Sequence, residues 1–127
     1  MYDSLKFNHE AIQDAENYYK TLHLASGQRI IAQGIAKIVS NYIPIDVMPL
    51  MGFIWRVMRT WQIDHKIDIK EVGEKFTPQQ RIEVVSELID MAYKDLTRVL
   101  INKEQEPLLK KGLNDVFEFY KKNFAYR

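Results

Sequence analysis

Apolar residues recur along this chain at helical spacing, in five stretches separated by breakers. From Asn8 onward, Ala11, Ile12, Ala15, Tyr18, Tyr19 and Leu22 fall on one side of a helical wheel. A second stripe, Ile31, Ala32, Ile35, Ile38, Val39 and Tyr42, points nearly opposite when the same helical count is continued. One straight helix cannot bury both. A break is therefore expected at Ser26-Gly27, with helices over about 9–25 and 28–42. Gly34, Ala32 and Ala36 leave room for a close helix neighbour, although plain helix propensity explains the alanines equally well.

The third stretch, Ile43 to Ile63, is the most apolar and carries both tryptophans. Pro44 pushes Ile43 out of helical geometry, Asp46 is a suitable N-cap, and Pro49 falls in the first turn, where its missing N–H costs nothing. On a helix over about 47–62, the apolar side chains cover an arc of about 220°. An ordinary surface helix needs a stripe only somewhat wider than about 100°. Either this helix sits at the centre of a bundle, or something outside the monomer completes its burial.

Residues 64–76 are charged and interrupted by Gly73, and Asp68 with Glu71 has the spacing of a capping box, which predicts one or two short turns. Thr77-Pro78-Gln79-Gln80 is the clearest start signal: a Thr cap, Pro at the first helical position and Gln three residues after the cap. The helix it opens, about 78–101, turns Ile82, Val85, Leu88, Ile89, Ala92, Leu96 and Val99 inward, with Glu83, Glu87, Asp90, Lys94 and Arg98 on the other face. After Pro107 a last helix, about 107–124, carries the stripe Leu109, Leu113, Val116, Phe117, Tyr120 and Phe124. These elements predict an all-α, single-domain bundle of four main helices plus one or two short helical turns. Its core is expected from the central helix and the two C-terminal ones, and residues 1–7 are expected to form a poorly fixed arm.

Composition narrows the function classes. A chain of 127 residues with 46% hydrophobic and 28% charged residues is globular rather than disordered. With no cysteine, neither disulfides nor thiolate chemistry is available. The opening residues show no basic segment followed by an apolar run, so no signal peptide is read and the cytoplasm is the expected location. A net charge of +1 is too small for bulk nucleic-acid binding. The total conceals alternating blocks, acidic over 1–27 and 64–106 and basic over 28–63 and 107–127. A membrane span by the central helix is rejected because Asp46, Arg56 and Arg59 each cost about 2.5–3.5 kcal/mol near a bilayer centre.

Candidate chemistry is sparse. No phosphate-binding glycine loop, nucleophile elbow or H-E-x-x-H pattern occurs. His9, Glu16 and His23 share a face, but steps of seven residues separate them by roughly 10.5 Å, too far for one metal ion. His65 would need an oriented partner such as Asp64 or Asp68 for catalysis. Lys121, Lys122, Phe124, Tyr126 and Arg127 mix cations with aromatic rings, yet those cations also suit a helix C-terminus. No catalytic residue, cofactor or metal site is therefore expected.

The leading functional expectation is a non-enzymatic interaction module, an adaptor, regulator or inhibitor, that self-associates or binds a protein partner through the central helix. Met48, Met51, Phe53, Trp55, Arg56, Met58, Arg59 and Trp61 would carry that contact, because Met, Trp and Arg are enriched at interfaces. The alternatives are a pocket protein or small helical enzyme for an apolar ligand, and a helix that lies on a membrane surface with Arg56 and Arg59 facing headgroups.

Overall fold

Local capping sets where most of the helices begin. The Asn8 carboxamide accepts the Ala11 N–H at 3.1 Å and starts α1 (His9–Thr21). Gln28 accepts the Ala25 N–H at 3.0 Å at the head of α2 (Ser26–Val39). The chain then turns through Ile43 and Ile45, both buried, into α3 (Val47–His65). Lys66, left-handed at φ 56°, ends α3, and Asp68 accepts the Lys70 N–H at 2.8 Å to start the short α4 (Ile69–Lys75). Thr77 and Gln80 form the reciprocal capping box, with bonds of 2.9 and 3.1 Å, that opens α5 (Pro78–Val99). A 3₁₀ turn at Lys103–Gln105 leads into α6 (Glu106–Asn123).

The computed structural model describes residues 2–126; Met1 and Arg127 lie outside it. Among the described residues the fold is all-α, with five long helices and one of seven residues. The five long helices match the five expected stretches, and the count of four main helices plus short turns is met only loosely. The break between the first two falls at 22–25 rather than at Ser26-Gly27, which open α2. The first helix ends four residues before its expected end, and α3 runs three residues beyond its own.

The N-terminal residues correct the expectation of a poorly fixed arm. The Lys6 N–H donates to the Asn102 carboxamide oxygen at 2.9 Å, the Asn102 amide donates to Ser4 O at 2.7 Å, and the Ile101 N–H donates to Lys6 O at 2.8 Å. Phe7 and Leu100 form an isolated antiparallel bridge, and Leu5 is buried. Backbone groups that would otherwise compete for water are satisfied here by the α5–α6 connection. The Tyr2 hydroxyl also donates to Asp115 of α6, beside Lys111.

Helix α3 is the axis of the molecule. It packs most extensively against α1 and α2 and less against α5, whereas the expectation paired it with the two C-terminal helices. Helix α5 packs on α6, and α6 also touches α2, so α2, α3, α5 and α6 form a ring. On the opposite side of α3, Gly52 meets α1 so closely that a Cβ there would lie 2.1 Å from the Ala15 carbonyl oxygen. Among the described residues no helix is long and apolar enough to cross a membrane.

Candidate functional site

The ring of four helices encloses a cavity of about 200 Å³ with an apolar wall. Helices α2, α3 and α5 contribute residues of the stripes that their sequence period predicts, whereas on α6 the unpredicted Phe119 lines the cavity and the predicted Phe117 faces the groove between α5 and α6. From α2 come Ile35, Ile38 and Val39, and from α3 come Leu50, Phe53, Ile54, Val57 and Met58. Val85, Leu88, Ile89, Ala92 and Leu96 line it from α5, and Leu113, Val116, Phe119, Tyr120 and Phe124 from the α6 segment. Asp95 is the one charged residue at the wall, and its carboxylate is bonded to Arg98 rather than turned to the void.

The two ends of the cavity differ. Leu50, Leu96, Leu113 and Val39 are all buried at one end, with Ile38 and Asp95 beside them half-buried. At the other, exposure rises along α6, from buried Val116 through half-buried Phe119 and Tyr120 to Phe124, which is 41% exposed. On α5, Val85 at this end is half-buried, and one turn earlier in the same stripe stands Arg81. Its guanidinium donates to Phe76 O and to Ala125 O, each at 2.6 Å. Burial pushes the Tyr120 hydroxyl up from its ordinary pKa, and the Arg81 cation beside it pulls the other way. Phe124 is the one exposed residue of the wall, which makes this the more open end.

The eight residues expected to form an interaction surface are divided by the fold. Met51, Phe53, Trp55, Met58 and Trp61 are buried inside the monomer, Trp55 at 6% exposure and Trp61 at 2%. Of these, Phe53 and Met58 line the cavity. Met48, Arg56 and Arg59 are exposed, and Arg56 lies over the Tyr18 ring of α1 at 5.0 Å. The wide apolar arc is closed largely by α1, α2 and α5.

Trp61 also reveals a cluster that the sequence reading missed. Its indole N–H donates to Glu87 Oε2 of α5 at 2.8 Å, and the same oxygen lies 3.2 Å from His65 Nε2. The His65 ring stacks on Trp61 with centroids 4.4 Å apart. Glu87, read from sequence as part of a solvated face, is indeed exposed and at the same time joins α5 to the end of α3. His65 meets Glu87, where the sequence suggests Asp64 or Asp68. Beneath this cluster Trp61, Val72 and Val84 make a second small core.

The remaining candidates stay apart. Glu16 pairs with Lys20 at 3.1 Å, and His9 and His23 are exposed. Among the described residues no group of three or more His, Cys, Asp or Glu is placed to hold a metal ion. Lys121 pairs with Glu118 at 3.0 Å and sits over Phe117, while Phe124 packs on Phe119 and Tyr120; Arg127 of that basic-aromatic group falls outside the described residues. A wider groove of about 440 Å³ between α5 and α6 is rimmed by Asp90, Lys94 and Lys110, a mixed set that suits solvent.

Comparison with protein-family models, curated proteins and solved structures gave no match. The functional reading therefore rests on geometry.

Proposed function

We propose that this protein is a non-enzymatic binding module whose site is the apolar cavity between α2, α3, α5 and α6. The observation that carries the reading is an apolar wall around about 200 Å³ of space, opening beside an exposed phenylalanine. Protein interiors are packed to the density of organic crystals, and a void lined by hydrocarbon loses dispersion contacts that a ligand can restore. Apolar cavities of about 150 Å³ stay dry and take up benzene. The present one is somewhat larger and has an entrance.

The protein-interaction reading keeps support from Met48, Arg56 and Arg59, which remain exposed on α3, and from the exposed Ile30 and Ile31 on α2. It has less to stand on than the cavity, because Trp55 and Trp61, its strongest anchors, are buried.

Melting with a neutral probe tests the cavity reading. At ten times its dissociation constant, 1-octanol is expected to add about 1.4 kcal/mol of stability, a rise of a few degrees in Tm. Ala92→Leu, which extends a side chain into the void, is expected to remove that rise. An unchanged Tm at saturating octanol, or an equal rise in the substituted protein, contradicts the reading.

A further inference from the structure

The more open end of the cavity is covered by a residue that belongs to no helix. Phe124 follows the last turn of α6, and its N–H and that of Ala125 both donate to Tyr120 O, at 2.9 and 3.1 Å. One carbonyl thus serves two donors. The Phe124 ring lies against Phe119 and Tyr120, with centroids 5.9 and 6.4 Å apart, and lines the void. Every other wall residue sits within a helix, where moving the backbone breaks successive i to i−4 hydrogen bonds. Phe124 can swing outward without that cost. What holds it is Arg81, whose guanidinium donates to Ala125 O and to Phe76 O, each at 2.6 Å. These bonds tie the turn after α6 to the junction of α4 and α5, and Ala125 itself is fully buried.

Resting on the cavity reading above, we infer that Phe124 is a door to the cavity and that Arg81 is the positioning residue that keeps it shut. The planar guanidinium fork suits this strap, since it reaches two carbonyls from one side chain and its charge strengthens both bonds. Opening requires the Arg81–Ala125 bond to break. The strap is closed in the empty and in the occupied protein alike, so it sets how fast a ligand passes and not how tightly it is held. The charged groups at this wall are committed to the protein, Asp95 to Arg98 and Arg81 to its carbonyls. A ligand that passes the door therefore finds no partner for a polar head and is uncharged and apolar throughout.

Exchange of benzene, which fits a void of this size, tests the door, with entry and exit rates read from NMR magnetisation exchange between free and bound signals. Arg81→Gln is expected to raise both rates together by about tenfold, the effect of one lost charge-assisted hydrogen bond, and to leave the dissociation constant within about twofold. Phe124→Ala removes the door, and in that background Arg81→Gln is expected to add little, because the strap has nothing left to hold. If Arg81→Gln fails to fold, Arg81→Lys, which keeps the charge and loses the fork, is expected to give a smaller rise in both rates. Unchanged rates on substitution of Arg81 overturn the strap and leave the cavity reading intact. A rise of equal size with and without Phe124 reports general loosening and overturns the door. Weaker binding carried by exit alone overturns the claim that Arg81 acts on passage. Failure of benzene to bind the unsubstituted protein overturns the cavity reading itself.

Discussion

The two faces of α3 make opposite use of an apolar helix. On one, Gly52 brings the helix against the backbone of α1, with no room for even a methyl group. About half a turn away, Phe53, Ile54 and Val57 face an unfilled space of about 200 Å³. Both faces are apolar, so hydrophobicity does not separate them. What differs is how closely the neighbouring backbone can approach. Small residues at the α1–α3 crossing allow close contact, whereas large residues across the α2–α3–α5–α6 ring hold the helices apart. Stability and binding capacity are thereby assigned to opposite sides of one element.

The contrast is broken most severely at Gly52. Gly52→Ala would place a Cβ 2.1 Å from a carbonyl oxygen that belongs to backbone, which cannot rotate away. A loss of about 3 kcal/mol is expected in urea denaturation, at the upper end of ordinary overpacking, and a loss below about 1 kcal/mol would mean the crossing is looser than described. Enlarging an alanine should then have opposite signs on the two faces. Ala15→Leu, at a fully buried position on the tight side, is expected to destabilise, while Ala92→Leu in the cavity wall is expected to stabilise by about 1 kcal/mol. Matching signs would dissolve the comparison.

Glu87 links the end of α3 to α5 and so helps set the width of the ring. Glu87→Ala leaves the Trp61 indole N–H without its partner and is expected to cost about 1 kcal/mol, with a shift in tryptophan emission. Restoration by Glu87→Gln would show that the hydrogen bond matters more than the charge.

The smallest effect belongs to the N-terminal tie. The Tyr2 hydroxyl, and then Lys111, hold the Asp115 carboxyl below its ordinary pKa of 3.8. A depressed folded-state pKa contributes stability that is present above 3.8 and lost as pH falls through the lower folded value. Solvent screening keeps the contribution small. Comparing urea midpoints at pH 7 and pH 3, Asp115→Asn is expected to show a slightly smaller acid-induced loss than the unsubstituted protein. A larger loss would reverse the sign.

What was legible in the sequence was local. The Thr77–Gln80 box forms as its spacing predicts, because a cap involves residues two or three apart. Asp68 caps α4 through Lys70 rather than as a box with Glu71, and Asp46 stands at the head of α3 without a side-chain cap bond. The all-α class followed from apolar periodicity. Contacts that depend on distant residues were not legible: nothing in the sequence around Gly52 shows that it meets the Ala15 backbone on another helix. Trp61 finds Glu87 across 26 positions, and Lys6 finds Asn102 across 96. Periodicity shows which face of a helix is apolar and not how far the next helix stands from it. Among the residues singled out on α3, Phe53 and Met58 reach the cavity wall, while Leu50, Ile54 and Val57 counted only as part of the arc. The α5 wall was read as ordinary core, and the void emerges only when four helices are assembled.

The most direct measurement is a methyl-resolved NMR titration with xenon, an apolar probe that needs no head group. Shifts concentrated at methyls of Ile35, Val57, Leu88 and Val116, with the Ala15 methyl at the α1–α3 crossing unmoved, are the predicted result. Shifts confined to exposed Ile30, Ile63 and Ile101, or spread evenly over both faces of α3, would contradict a binding cavity on one side of the helix and a closed contact on the other.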